Sequence, residues 1–495
     1  MGEHFEQQFR EYLQEMDAYR EAISLIHWDL RTKIPKKGVE QRSKVVGLFA
    51  QKLHDMQTSD VMKHFIDSLK DKNTDPIIKK AVAECEEIYL RNKKIPKDEY
   101  KEFVTLQSKS EAIWQEAREK DDFSLFQPYL EKIVQFNQKF ASYWGYEDHI
   151  YDALLHNYEP GVTTRLLDEV FSSLRQSLSE ILKKINESKN KPDTSIVKSH
   201  FPKESQKAFT VDILKEIGYD FEAGRLDETI HPFEITLNRN DVRITTRYDE
   251  NDFQMAVFGT IHEMGHALYE QHIDATLAGT PLATGTSMGI HESQSLFWEN
   301  YIGRSLSFWK KYYPLFQSYA PKHFQSVPLE DFYRAINKVT PSLIRIEADE
   351  VTYPFHIMVR FELEKGLING DIAVKDLPGL WNEKMEEYLG IRVPTDREGV
   401  LQDIHWAGGD FGYFPSYALG LLYGAQFYHR LGEEVNINNA IQEGNFQPII
   451  QWLERHIYRY GKMKKPLEIL QDVTKEGLNP DYFIAYLREK YSKIY

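Results

Sequence analysis

The sequence predicts an all-α, predominantly helical protein with one small antiparallel β-hairpin, and three observations point there. Apolar residues recur at spacings of three and four over most of the chain. Turn signals such as Pro35, Pro76 and Pro96 punctuate these runs. Only FEITLNRNDVRITTRY (233–248) departs from that period, with two β-rich runs around the turn-forming Asn238-Arg239-Asn240-Asp241.

Taken in order, Phe5, Phe9, Tyr12, Leu13, Met16, Tyr19, Ile23 and Ile26 mark one amphipathic helix over about 3–30. Similar patterns cover about 40–70, 76–93, 96–119, 124–140 and 164–186, and 189–204 reads as loop. After the hairpin, helix resumes near 252. It breaks over the Gly/Thr-rich TLAGTPLATGTSMG (276–289), expected to be a mobile loop, and resumes at 291. A long helix is expected to start at Thr340-Pro341, with Pro354 kinking it, because proline is well tolerated at a first helical position. From Pro415 onward the chain reads as helical. No linker composition divides it, so 1–495 is expected to form a single domain.

Bulk chemistry excludes several functions. A net charge of -15 argues against a nucleic-acid partner gripped through phosphates. No apolar run reaches the roughly 18 residues of a membrane span. The N-terminus MGEHFEQQFREYLQEM has no apolar core of a secretory signal. A lone cysteine, Cys85, forms no internal disulfide and fits a reducing compartment. A cytoplasmic protein is expected.

The chemistry centres on His262-Glu263-Met264-Gly265-His266. Four residues apart on a helix, His262 and His266 lie on one face and can turn ring nitrogens toward one ion. Glu263 is rotated about 100° away, placed to touch a water at that ion without binding the ion. Gly265 leaves room for a neighbouring element. Two His and one carboxylate suit Zn2+ with an open position. The candidate third ligand is Glu292 in His291-Glu292-Ser293-Gln294, 26 residues past His266. With metal present, Glu263 is the candidate general base, taking a proton from water and returning it to the leaving amine. His405 and Tyr417 are candidate donors to the developing oxyanion.

Direction of cutting needs a reader for a free α-carboxylate, which an arginine fork suits. Arg243 in DVRIT (241–245) and Arg345 in IRIEAD (344–349) are the candidates. The alternative for Arg345 is a surface pair with Asp349 one turn on.

DVRIT, HEMGH, HESQ (291–294), IRIEAD and GVLQDIHW (399–406) stand in the order typical of the carboxypeptidase Taq family, which the chain resembles over its whole length. The resemblance implies a neurolysin-like helical fold with a deep groove and a homodimer. It implies removal of C-terminal residues from peptides with broad specificity, not after Pro. It makes His262, His266 and Glu292 the metal ligands of zinc, with cobalt (Co2+) possible, Glu263 the base, and Arg243 and Arg345 readers of the carboxylate. His405 and Tyr417 match donors of the wider group. The position four past Glu292, where some metallopeptidases carry an Asp, is Leu296, so backing for the ligands must come from elsewhere. The competing readings are a thimet-oligopeptidase-like endopeptidase and a non-catalytic helical peptide-binding protein.

Overall fold

The computed structural model describes residues 2–72 and 74–495. It is 70% helical with one three-stranded sheet. The N-terminal third is helical: α1 (Gly2–Thr32), α2 (Val39–Gln57), α3 (Asp60–Leu69), α4 (Pro76–Lys94), α5 (Lys97–Lys120) and α6 (Phe123–Trp144). The single helix expected over 40–70 is two, because the Ser59 side chain accepts the Met62 N–H and starts α3 afresh. A short α7 (Asp152–Leu155), α8 (Thr164–Glu187) and α9 (Lys203–Ile217) lead to the sheet. In α8, Leu167, Val170, Phe171, Leu174, Leu178, Ile181 and Ile185 form one buried stripe, as the spacing predicts.

The sheet is β1 (Gly224–Glu228), β2 (Glu234–Asn238) and β3 (Asp241–Thr246), in the order β1-β3-β2. The expected hairpin is β2–β3, paired antiparallel. β1 runs parallel to β3, so the sheet is mixed rather than purely antiparallel. GRLDE holds a single large apolar residue, Leu226, which is why its pattern carries no strand signal. Val242, Ile244 and Thr246 share one face of β3 and point at the metal-site helix α10 (Thr260–Gln271), where the Thr246 and Thr260 hydroxyls hydrogen-bond at 2.7 Å.

After α10, residues 272–287 return to α11 (Met288–Leu296). This stretch is packed, contrary to the mobile loop expected of it. The Thr286 N–H reaches the Tyr269 hydroxyl at 3.1 Å, and the Leu282 carbonyl accepts the Lys462 N–H at 3.0 Å. A wider π turn (Phe297–Gly303), α12 (Leu306–Tyr319) and α13 (Leu329–Ile336) follow.

The helix expected from Thr340-Pro341 does not form there. The Asp349 carboxylate instead accepts N–H groups of Thr340, Val351 and Thr352, gathering 340–352 into an irregular loop with a short 3-10 turn at Arg345–Glu347. The helix α14 (Tyr353–Asn369) starts only at Tyr353, and Pro354 sits in its first turn without kinking it. Then come α15 (Leu377–Leu389), the one-turn α16 (His405–Gly408), α17 (Pro415–Glu434), α18 (Ile437–Glu443), α19 (Gln447–His456), α20 (Pro466–Thr474) and α21 (Asp481–Ile494). Most of the buried apolar residues form one connected core from Phe9 to Ile494. Among the described residues no helix is long and apolar enough to cross a membrane.

Candidate active site

Three helices meet at the candidate metal centre. α10 carries His262, Glu263 and His266, while α11 carries Glu292 and is wedged between α10 and α17. Glycine permits both approaches. A Cβ on Gly265 would lie 2.5 Å from the Gln294 carbonyl oxygen, and one on Gly420 of α17 would lie 2.6 Å from Glu292 Cγ.

The donor atoms of His262, His266 and Glu292 all lie within 4.8 Å of one another. His262 Nε2 stands 3.7 Å from Glu292 Oε2, and His266 Nε2 stands 3.4 Å from it. Bonds of about 2.1 Å at tetrahedral angles put two ligands of one ion about 3.4 Å apart, so the set fits a zinc-like cation. The electrostatics fit as well. Burial opposes charge on His262, but Glu292, Glu299 and Glu263 override it and push the ring up to about 10. Burial alone would raise Glu292, whereas His262 and His266 hold it at about 2. A divalent cation bound there would compete with any proton that these carboxylates favour on His262. Burial pushes the Glu263 carboxyl up to about 7, opposed by His262 and assisted by Glu234.

Each imidazole is held from behind. His262 Nδ1 meets Glu299 Oε2 at 3.0 Å, and the Arg304 guanidinium donates to Glu299 Oε1 at 3.0 and 3.2 Å. His266 Nδ1 meets His291 Nδ1 at 2.6 Å. Sequence reasoning missed these partners. Glu299 lies seven residues past Glu292, two helical turns on and on the same face, which is the signal that could have found it. His291 stood inside a motif already singled out.

Beside the centre, the start of α17 brings up Tyr417 and α16 brings up His405, whose Nε2 lies 3.3 Å from the Tyr417 hydroxyl. Burial, with Arg345 and Arg360 against the pull of Asp403, lowers His405 to about 4, so the ring is neutral at pH 7. Arg345 lies against the Tyr417 ring, 4.6 Å from its centroid. Its Nε and Nη2 donate to Asp403 Oδ1 at 3.2 and 2.9 Å, and its Nη1 donates to the Tyr353 hydroxyl at 2.8 Å. Arg345 thus sits on the 3-10 turn rather than on a long helix, and it pairs with Asp403, not Asp349. Arg360, fully buried on α14, donates to the other Asp403 oxygen. Burial would raise Asp403, yet the two guanidiniums hold it well below the usual carboxylate range. Two cations share one carboxylate in this cluster.

Arg243 is placed differently. It lies on the face of β3 opposite Val242 and Ile244, turned from α10 toward α1. Its Nε and Nη2 each donate to Asp241 at 2.7 Å, and its guanidinium lies 5.4 Å from the Trp28 ring centroid.

Comparison with known proteins places the whole chain in one family. The carboxypeptidase Taq (M32) metallopeptidase family matches residues 8–491. Carboxypeptidase 1 of Bacillus subtilis (strain 168) is 53% identical, the match covering 99% of each chain. Thermostable carboxypeptidase 1 of Thermus thermophilus is 42% identical, covering 95% of each. Among solved structures, the M32 carboxypeptidase of Deinococcus radiodurans R1 superposes with a TM-score of 0.96 at 35% identity, covering 99% of both chains. The carboxypeptidase of Pyrococcus furiosus gives 0.96 at 37%, covering 98% of this chain and 99% of that one. The protein is a metallocarboxypeptidase of the carboxypeptidase Taq family, a peptide hydrolase that works with a metal ion.

Proposed function

We propose that the protein is a zinc carboxypeptidase that trims soluble peptides from a free C-terminus, with broad specificity but not after Pro. The observation that carries the direction of cutting is the surplus positive charge left where Arg345 and Arg360 share the single Asp403 carboxylate. A guanidinium has five N–H donors, and Arg345 uses three. The two that remain suit an incoming α-carboxylate. Arg345 is therefore assigned the direct contact. Arg243, already committed to Asp241 on the far face of the sheet, is the second candidate.

His262, His266 and Glu292 would hold the ion. Two imidazoles and one carboxylate favour zinc, and cobalt fits the same donors. When bound, the ion supplies Lewis acidity that polarises a carbonyl and lowers the pKa of water. With the ion in place, Glu263 would take a proton from an attacking water on its carboxylate oxygen and deliver it to the leaving amine nitrogen. Neutral His405 can donate its Nε2–H to the Tyr417 oxygen, freeing the phenol proton to point at the oxyanion. The protein is taken to act in the cytoplasm as a homodimer built of one peptidase domain, without nucleic acid. The lone buried Cys85 and the net charge of -15 support the compartment and the absence of nucleic acid.

The test is a mass-spectrometric time course on one peptide with a free C-terminus and its amidated twin, with and without chelator. A ladder from the free C-terminus, absent from the amidated peptide and abolished by chelator, is expected. Equal internal cleavage of both would make the protein an endopeptidase.

A further inference from the structure

The two histidine ligands are backed by different chemistry, and the less usual of the two ties a distant loop to the metal. His262 rests on a carboxylate, Glu299. His266 rests on a second histidine: its Nδ1 lies 2.6 Å from His291 Nδ1, and His291 Nε2 lies 2.9 Å from Glu270 Oε1. With a metal on His266 Nε2, these contacts assign the protons along the chain. A ligand ring that turns Nε2 to a metal keeps its proton on Nδ1 and must donate it. His291 Nδ1 is therefore the acceptor, so its own proton sits on Nε2 and is donated to Glu270.

Glu270 is almost fully buried, and its Oε1 also accepts the Gly285 N–H at 2.8 Å and the Thr284 hydroxyl at 3.2 Å. Both residues belong to the Gly/Thr-rich segment between α10 and α11. A Cβ on Gly285 would lie 2.5 Å from the His291 ring, so the loop backbone lies directly against that ring.

We propose that His291 and Glu270 are positioning residues, forming a relay that holds His266 in its metal-binding tautomer and couples metal occupancy to the order of residues 276–287. The relay rests on the metal assignment made above. It makes the loop a support of the metal centre. Losing the ion frees His266 to rotate, which removes the acceptor role of His291 and loosens the Glu270 carboxylate that pins Gly285. Such outer partners of a ligand commonly change metal affinity about 10–100-fold.

The experiment measures zinc and cobalt affinity in chelator-buffered titrations of the full-length protein, without peptide, for wild type, His291→Leu, His291→Gln and Glu270→Gln. His291→Leu, which keeps bulk but cannot accept a hydrogen bond, is expected to weaken metal binding about 10–100-fold and to shift the cobalt absorption spectrum. His291→Gln offers an oxygen to His266 and an N–H to Glu270, and is expected to restore affinity to within about threefold of wild type. Limited proteolysis completes the test: metal should protect 276–287 in wild type and His291→Gln but not in His291→Leu. Wild-type affinity and an unchanged cobalt spectrum in His291→Leu would overturn the relay. If His291→Leu does not fold, Glu270→Gln decides by the same readouts, unchanged affinity and protection overturning the proposal. A wild-type protein that binds no metal would instead remove the zinc reading on which the relay depends.

Discussion

Helices α2 and α14 are nearly equal in length, 19 and 17 residues, and are opposites in every other respect. α2 buries only Met56, and leaves Val39 and Leu48 exposed. α14 buries thirteen residues, among them His356, Arg360 and Glu364 at successive turns of one face. Two of these three are satisfied from other elements, Arg360 by Asp403 and Glu364 by Tyr151, Trp406 and the Gly412 N–H, while both His356 ring nitrogens are buried without a hydrogen-bond partner. The difference teaches where this chain demands a particular residue. α2 packs along α1 through half-buried side chains and fully buries only Met56. On α14, Arg360 and Glu364 hold Asp403, Trp406 and the Gly412 N–H, which flank His405 beside the candidate active site.

The largest effect should come from the interior. Glu263→Gln is expected to lower turnover about 10²–10⁴-fold while stoichiometric metal is retained, read by steady-state kinetics and metal analysis. Retained turnover would remove Glu263 as the base and detach the catalytic centre from this comparison. Next, Asp403→Asn leaves Arg360 and Arg345 without their shared carboxylate. It is expected to cost about 3–5 kcal/mol in denaturant unfolding and to raise KM for peptides with a free C-terminus. A loss below about 1 kcal/mol would mean that the α14 network is no more demanding than the surface.

The same pair gives a signed pH dependence. Arg360 and Arg345 hold Asp403 ionised in the folded chain well below the range of the unfolded carboxyl, about 3.9. Its stabilising contribution is complete above about pH 5 and is lost progressively as pH falls from about 4 toward the folded group's own much lower value. The gap in stability between wild type and Asp403→Asn should therefore narrow as pH falls through about 4, and a gap that widens would contradict the ion pair. The smallest effect belongs to α2: Leu48→Ser, at a side chain 65% exposed, should change stability by less than about 0.5 kcal/mol in thermal melts.

The same contrast explains what was legible in the sequence. Periodicity located α1, α4–α6 and α8, because a one-sided apolar stripe survives wherever a helix meets both core and solvent. It failed at 340–352, where a single side chain, Asp349, satisfies three backbone N–H groups and replaces the helix those residues could have formed. It missed β1 because a five-residue strand with one large apolar residue borrows its stability from β3. At the site, the HEMGH spacing announced two candidate ligands and a candidate base, and the structure brings His262 and His266 together with Glu292. The pairing of Arg345 with Asp403, 58 residues on, and of His266 with His291 depends on how separate elements pack, which no local pattern encodes.

One consequence of the glycine contacts concerns time rather than space. Glu292 is pressed against Gly420, so the wall that steadies this candidate third ligand is made well over a hundred residues after it. The C-terminal helix then locks in through Lys490, whose ammonium meets Glu350 at 2.5 Å in the interior. A nascent chain that has already released HEMGH and HESQ from the ribosome still lacks the surface that holds them together. Peptide-cutting power therefore arrives late in synthesis, when most of the chain has already left the machinery that makes it.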